Sequence, residues 1–372
     1  MPLSTQPPGS STEDTSGPNS AEAARRLAQD YLDTLAAAHA AACKRVDRIT
    51  TRTFLLAGLR LRLVIAGESL AAITLPALAH LPADDSGPPD GEFLLWDEAA
   101  SGVPLPPRPW IDPGTLQGVK VTLPRGAEAF RYSPQSHDKD TFVFTNRVSG
   151  ITAIWVRDAR RLPFYQLASP LLLPLHWWAS ARGLRAVHAG CVATPAGAAL
   201  IVGPSGAGKS TTSLLCATSG FDYLSDDYCL VRPGREAEAF CLFNNAKLHR
   251  DQFTRFPSLA PLAVQPPADC PDKPIVFFHQ HHPGRVRLAA PLRALILPVI
   301  TGLETTTATR IDPAATLRTI ASSSLSQLPQ DDAGLFFDLA GLARRLPCYQ
   351  LNLGTRLDEI PRCIHALIGA TS

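Results

Sequence analysis

The chain has 372 residues, enough for two domains or three small ones, and 45% of them are hydrophobic, ample for packed cores. Its 35 basic and 33 acidic residues leave a formal net charge of +2, which gives no electrostatic case for nucleic acid or an anionic membrane as partner. Aromatic residues amount to 7% and do not alternate with basic runs, so no platform for stacking single-stranded bases is visible.

Residues 1–20 are rich in Pro, Ser, Thr and Gly and read as a disordered tail. A helix is expected from Asn19, with Glu22 completing a capping-box-like pattern. Its apolar positions Leu27, Tyr31, Leu35, Ala42, Val46 and Ile49 recur at roughly helical spacing. "TFLLAGLRLRLVIAG" (53–67) reads as strand, turn, strand, and "ESLAAITLPALAHL" as a short helix interrupted by Pro76. Residues 82–118 hold eight of the 34 prolines and read as a long connection or irregular lobe, not a regular sheet. "TFVFTNRVSGITAIWVRDA" (141–159) predicts a hairpin around Ser149-Gly150, and 165–184 one or two buried helices ending at Gly183. Residues 21–184 thus form an expected N-terminal α+β domain, without a chemical motif.

From residue 185 the texture changes, and a second domain is expected over 185–372. "AALIVG" is a short apolar strand entering a glycine loop, Lys209 to Ser219 suits a helix stopped by Gly220, and "FDYL" and "YCLV" are strands on either side of two aspartates. "RALILPVI" (293–300) is a further buried strand, with helices over 312–328 and 356–368.

The eight cysteines form no Cys-x-x-Cys pair and no zinc-ligand spacing with histidine, so they read as buried apolar residues of a reduced compartment. The first 20 residues carry no Lys or Arg and no apolar segment, and the most apolar later stretches are broken by proline. The expectation is a cytoplasmic protein without a transmembrane segment.

The loop Gly203-Pro204-Ser205-Gly206-Ala207-Gly208-Lys209-Ser210 fits G-x-x-x-x-G-K-[ST] without a mismatch. Glycines let backbone N–H groups wrap phosphate oxygens, and the following helix presents its positive end to them. Lys209 reaches the β- and γ-phosphates, and the Ser210 hydroxyl suits Mg²⁺. Asp226-Asp227 follow Lys209 closely, and one helix and one strand would return them to the loop. One carboxylate there can hold Mg²⁺ and the other can take a proton from an incoming hydroxyl. The bland alternative is a solvated Ser-Asp-Asp turn. His188, 15 residues before Gly203, either touches the γ-phosphate, tunes the aspartates or is structural. "HQHH" (279–282) reads as a solvated loop, a surface metal site being the alternative.

Taken together, "HAG…GPSGAGKSTTSLLCATSGFDYLSDD" resembles the catalytic domain of HPr kinase/phosphorylase. It is closer still to the HPr-kinase-related proteins encoded beside peptide-modification genes, including lasso-peptide precursor kinases. The resemblance is strong over residues 185–231 and weaker at 244–253 and 271–278. It implies an α/β, phosphoenolpyruvate-carboxykinase-like P-loop kinase domain behind the α+β N-terminal domain. Gly203 to Ser210, with Thr211, would bind ATP, and Ser210 with Asp227 would hold Mg²⁺. Asp226 would be the base, His188 would support phosphate or base, and Lys247, Lys273, Arg285 and Arg287 would neutralise transferred charge. The implied acceptor is a peptide or protein serine, and the type family suggests a homo-oligomer. The segment after the aspartates lacks the loop signature of HPr binding and phosphorolysis, which counts against HPr as the acceptor.

Three other classes fit less well. A transporter ATPase needs a Leu-Ser-Gly-Gly-Gln signature and a strand ending in Asp-Glu, and neither is present. A small-metabolite kinase would have a compact set of lid arginines, and here the arginines are scattered. A non-catalytic nucleotide-binding protein would not need Lys209, Ser210 and both aspartates intact.

Overall fold

A computed structural model describes residues 18–110, 126–133, 140–328 and 334–370. The chain alternates helices and strands in a mixed α/β arrangement built on two large sheets. In the first half, α1 (Pro18–Cys43) leads into the hairpin β1 (Ile49–Leu56) and β2 (Leu59–Ala66), then α2 (Glu68–Thr74), β3 (Gly91–Asp97) and the single turn α3 (Glu98–Ser101). β4 (Phe130–Ser133), β5 (Thr141–Asn146), β6 (Ile151–Val156) and α4 (Leu172–Ser180) follow. The strands form one six-stranded sheet in the order β1-β2-β3-β6-β5-β4, with β3 parallel to both neighbours.

Alternation along these strands decides what each face meets. Leu61, Leu63 and Ile65 of β2, with Phe93 and Leu95 of β3, point to one face, while Trp96, Phe142, Phe144 and Trp155 point to the other. α1 covers the second face with Ala28, Tyr31, Leu32 and Leu35. It ends at Cys43, so Val46 and Ile49 lie outside it, and Leu27 is exposed. It also begins at Pro18, so residues 18–20 of the expected tail are helical. Residues 1–17 lie outside the described residues.

The expectation of an irregular 82–118 is corrected by β3, which sits centrally in the sheet. Its sequence GEFLLWD is buried from both sides, which removes the polar-apolar alternation that marks a half-exposed strand.

The second half contributes β7 (Arg185–His188), β8 (Gly190–Thr194), β9 (Gly197–Ile201), α5 (Lys209–Thr218), β10 (Asp222–Ser225), β11 (Tyr228–Arg232) and β12 (Glu238–Cys241). Then come β13 (Asn245–Lys247), β14 (Ile275–Phe277), the turn α6 (Phe278–His281), β15 (Ala289–Ile300) and β16 (Thr307–Arg310). The chain closes with α7 (Pro313–Leu325), α8 (Gly334–Arg345), β17 (Cys348–Leu353) and α9 (Glu359–Gly369). A nine-stranded sheet runs β10-β8-β9-β15-β12-β11-β7, with β17 also on β15 and β16 beyond it, while β13 and β14 pair separately. α5 and α9 pack on one face of this sheet, and α7 and α8 on the other.

The two sheets divide near residue 184, but the apolar core does not. Leu61, Leu63, Phe93 and Leu95 share one cluster with Tyr228, Leu230, Phe240, Leu242 and Phe277. Hydrogen bonds reinforce the seam: Asn244 N–H donates to the Ala77 carbonyl at 3.0 Å, and Asn245 Nδ2 to the Ala168 carbonyl at 2.6 Å. All eight cysteines are free. Among the described residues no helix is long and apolar enough to cross a membrane.

Candidate active site

The glycine loop joins the buried strand β9 to α5. Gly206 and Gly208 adopt φ of 83° and 98°, left-handed values that side chains resist. α5 starts at Lys209 with no side-chain cap, so its first N–H groups face the hollow of the loop. Lys209 is only 7% exposed, and its Nζ donates to the carbonyls of Gly203 at 2.8 Å and Pro204 at 3.1 Å. Burial pushes its pKa down from the usual lysine range, against the pull of the Asp227 and Asp226 charges. A donor cradle, a lysine and a hydroxyl at Ser210 are the donor set that a nucleotide phosphate with its Mg²⁺ requires.

The aspartates lie where the chain leaves β10 for β11. β10 pairs with β8, and β11 with β7, so the chain crosses between strands of one sheet at Asp226-Asp227. The two carboxylates have different partners. Asp226 is 2% exposed; its Oδ1 accepts from the Tyr223 hydroxyl at 3.2 Å and its Oδ2 from the Lys247 N–H at 3.1 Å, and the Ser210 hydroxyl is close enough to favour its charged form. Burial, reinforced by the charge of Asp227, raises its pKa to about 6. Asp227 has a side chain 21% exposed, with Lys247 Nζ 2.5 Å from Oδ2 and His188 Nε2 3.1 Å from Oδ1. Burial works to raise its pKa too, but the Lys247 charge and the His188 hydrogen bond outweigh it and hold the carboxyl below the usual range.

His188 ends β7 opposite Tyr228 of β11. Its Nδ1 lies 2.6 Å from the Ser323 hydroxyl, which itself reaches the Gly203 carbonyl at 3.3 Å. The His188 backbone N–H donates to the Ser324 hydroxyl at 3.2 Å. α7 therefore ties the histidine to the glycine loop. With a proton on Nε2, the ring donates to Asp227 and Nδ1 accepts the single Ser323 hydroxyl proton, the longer Gly203 contact then going without it. Ser323, Ser324 and Tyr223 went unread in the sequence. The serine run "SSS" (322–324) at the end of a helix was the available signal.

Of the four cations expected to neutralise transferred charge, Lys247 lies at the aspartates, and Lys273 is near enough for its charge to act on Lys209. Arg285 and Arg287 are not brought there. Arg285 donates to the Gly220 carbonyl at 2.8 Å, and Arg287 to the Thr194 carbonyl at 2.9 Å with Asp222 at 3.4 Å. Gly220 and Asp222 stand at the far end of α5 and β10, and a ten-residue helix separates its ends by about 15 Å. Their distance is the cost of reading charge from sequence proximity alone. His279 and His281 lie in α6 and His282 caps it, and among the described residues no group of three or more His, Cys, Asp or Glu could hold a metal ion.

No family model matches the chain, and no curated protein matches it. Among solved structures, the HPr(Ser) kinase/phosphatase from Coxiella burnetii is a distant neighbour at 13% sequence identity, covering 50% of this chain and 95% of that one with a TM-score of 0.26. A superposition of that quality does not by itself fix fold or activity.

Proposed function

We propose that the chain is an ATP- and Mg²⁺-dependent kinase that transfers the γ-phosphate to a serine hydroxyl of a peptide or protein, such as a ribosomally made precursor peptide. The observation that carries this reading is the convergence of Lys209, Ser210 and two differently held carboxylates at the end of a glycine loop.

The contacts also suggest how the aspartates divide the work, and they favour the reverse of the sequence-based assignment. Asp226 lies close enough to the Ser210 hydroxyl to feel it, so that pair is suited to Mg²⁺. Its raised pKa would suit a proton acceptor, but it is only 2% exposed, so an incoming hydroxyl has no route to it. Asp227 is the reachable carboxylate, and reach is required before basicity matters. Its low basicity is tolerable because phosphoryl transfer has a loose transition state, in which orienting the nucleophile counts for more than early proton removal. Mg²⁺ would supply neutralisation of phosphate charge. Lys209 and the α5 N–H groups would hold phosphate oxygens, His188 would fix the Asp227 carboxylate, and Asp227 would orient the acceptor hydroxyl and receive its proton.

The test is phosphoryl transfer followed by mass spectrometry, using purified protein, Mg-ATP and the peptides encoded by small reading frames beside its gene. A single added phosphate on a serine, absent with Lys209→Ala, supports the reading. Asp227→Asn should abolish transfer while ATP still binds. ATP binding with no transfer to any peptide argues instead for a small-metabolite kinase or a nucleotide-gated partner protein.

A further inference from the structure

A cavity of about 360 Å³ opens between the two halves of the molecule, within the size range of pockets that enclose a small ligand. Its walls come mostly from the N-terminal half: Ile73 of α2, Val156 of β6, Leu162, and Leu172 at the start of α4. Tyr228, Lys247, Gln327 and Leu328 of the other half complete the lining. Among the described residues Lys247 is the only charged one that lines it. That charge is already paired, since its Nζ lies 2.5 Å from Asp227. Tyr228 directly follows Asp227 in the chain and donates its hydroxyl to Gln327. The lining is therefore mainly apolar, with Thr74, Ser133, Thr141 and Gln166 among its polar members, and two of its residues, Tyr228 and Lys247, adjoin Asp227, the carboxylate proposed to meet the acceptor.

We propose that this cavity takes an apolar side chain of the acceptor, so that the kinase selects peptides with an aliphatic or aromatic residue next to the phosphorylated serine. The proposal rests on the kinase reading above and adds to it the substrate class and a role for the N-terminal half. The lining chemistry argues for this occupant. A phosphate or an acidic side chain would meet a mainly apolar lining and one cation, Lys247, already paired with Asp227. An apolar group would remove apolar surface from water on both sides of the contact. Anchored there, it would bring the adjacent serine hydroxyl to Asp227, the positioning by which remote binding speeds a reaction.

The experiment uses the full chain and synthetic peptides with one serine, flanked by Leu, Phe, Gly or Asp. Ile73 and Leu162 are partly exposed cavity residues, so Ile73→Trp and Leu162→Trp fill the space with the least disturbance to the core. The wild type should show a KM for the Leu and Phe peptides lower by roughly tenfold or more than for the Gly and Asp peptides. Each filled variant should erase the preference, lowering kcat/KM for the apolar peptides to that for the Gly peptide, with ATP affinity within twofold of the wild type. Equal KM for all four peptides, or filled variants that keep the preference, would overturn the proposal while leaving the kinase reading intact. A second readout does not need transfer: fluorescence of the neutral probe N-phenyl-1-naphthylamine bound to the protein. The probe should bind the wild type, be displaced by the Leu and Phe peptides but not the Asp peptide, and bind neither filled variant. Displacement without phosphorylation of any peptide would keep the cavity assignment and defeat the kinase reading. No probe binding, or binding unaffected by the fillings, would defeat the cavity assignment.

Discussion

His188 and Asp227 meet at 3.1 Å from adjacent antiparallel strands, the histidine at the end of β7 and the aspartate just before β11. Because Ser323 holds the other ring nitrogen and also reaches Gly203, the pair is fixed relative to the glycine loop. Replacing the histidine should leave nucleotide binding intact and disorder the carboxylate. His188→Ala is expected to lower kcat by about 10²-fold, and Ser323→Ala by a smaller factor, with ATP affinity within twofold in both. Steady-state kinetics beside nucleotide titration separate the two effects. A large loss of ATP affinity in either variant would place the histidine in phosphate binding instead.

Lys247 is the main counterweight to burial at Asp227. Asp227 has a depressed pKa, so its contribution to stability is complete above the unfolded carboxylate value and is lost as pH falls through its lower folded value. Lys247→Met removes the opposing charge, and burial then raises the Asp227 pKa. The acidic limb of the pH–rate profile should move upward by about one unit or more. An unmoved limb would mean that the observed ionisation belongs to another group.

Asp226 has the opposite sign. Its pKa is raised to about 6, so ionising it weakens the fold: its contribution is fully favourable below the unfolded carboxylate value and is lost as pH rises through about 6. Asp226→Asn is therefore expected to stabilise the ligand-free protein at pH 8 by about 1 kcal/mol. The rise from the usual carboxylate value to about 6 sets an upper bound of about 3 kcal/mol, and an amide cannot accept at both the positions that Tyr223 and Lys247 now occupy. The gain should vanish at pH 4. Thermal melts of both proteins at the two pH values measure it, and they should come with weakened Mg²⁺ dependence of ATP binding.

The loop glycines are not equivalent. A Cβ at Gly208 would sit 2.9 Å from Leu353 Cδ1 at φ 98°, whereas at Gly206 it would meet open space at φ 83°. Gly206→Ala should cost only left-handed strain, about 1–2 kcal/mol. Gly208→Ala adds a contact that the Leu353 side chain must turn to relieve, so it should lose somewhat more stability than Gly206→Ala. Denaturant titration ranks the two.

What the sequence conveyed depended on how local each feature is. The glycine loop and its flanking strand and helix are contiguous, so residues 197–218 could be read directly. The 53–67 and 141–159 hairpins were readable because their apolar residues alternate or flank a Ser-Gly turn. β3 was hidden because eight prolines surround a seven-residue strand covered on both faces. The pairing of His188 with Ser323 spans 135 residues, and that of Lys247 with Asp226 spans 21, and no spacing rule predicts either. The division of labour between the aspartates was out of reach for a related reason: adjacent residues in an extended segment point to different surroundings, and only the fold says which one faces Ser210.

Lys247 grips Asp226 with its backbone and Asp227 with its side chain, yet it belongs to β13, which pairs only with β14 and adds nothing to the nine-stranded sheet. That ribbon is held from both sides: Ala246, Ile275 and Val276 are fully buried, and Asn244 and Asn245 bond to Ala77 and Ala168 of the first half. The electrostatics of both carboxylates therefore depend on how the two sheets are seated against each other. Asn245→Ala, which removes one bond across that seam, should lower phosphoryl transfer as well as the melting temperature, and activity measured beside thermal melts checks both. The first sheet then acts as a brace for the catalytic groups of the second.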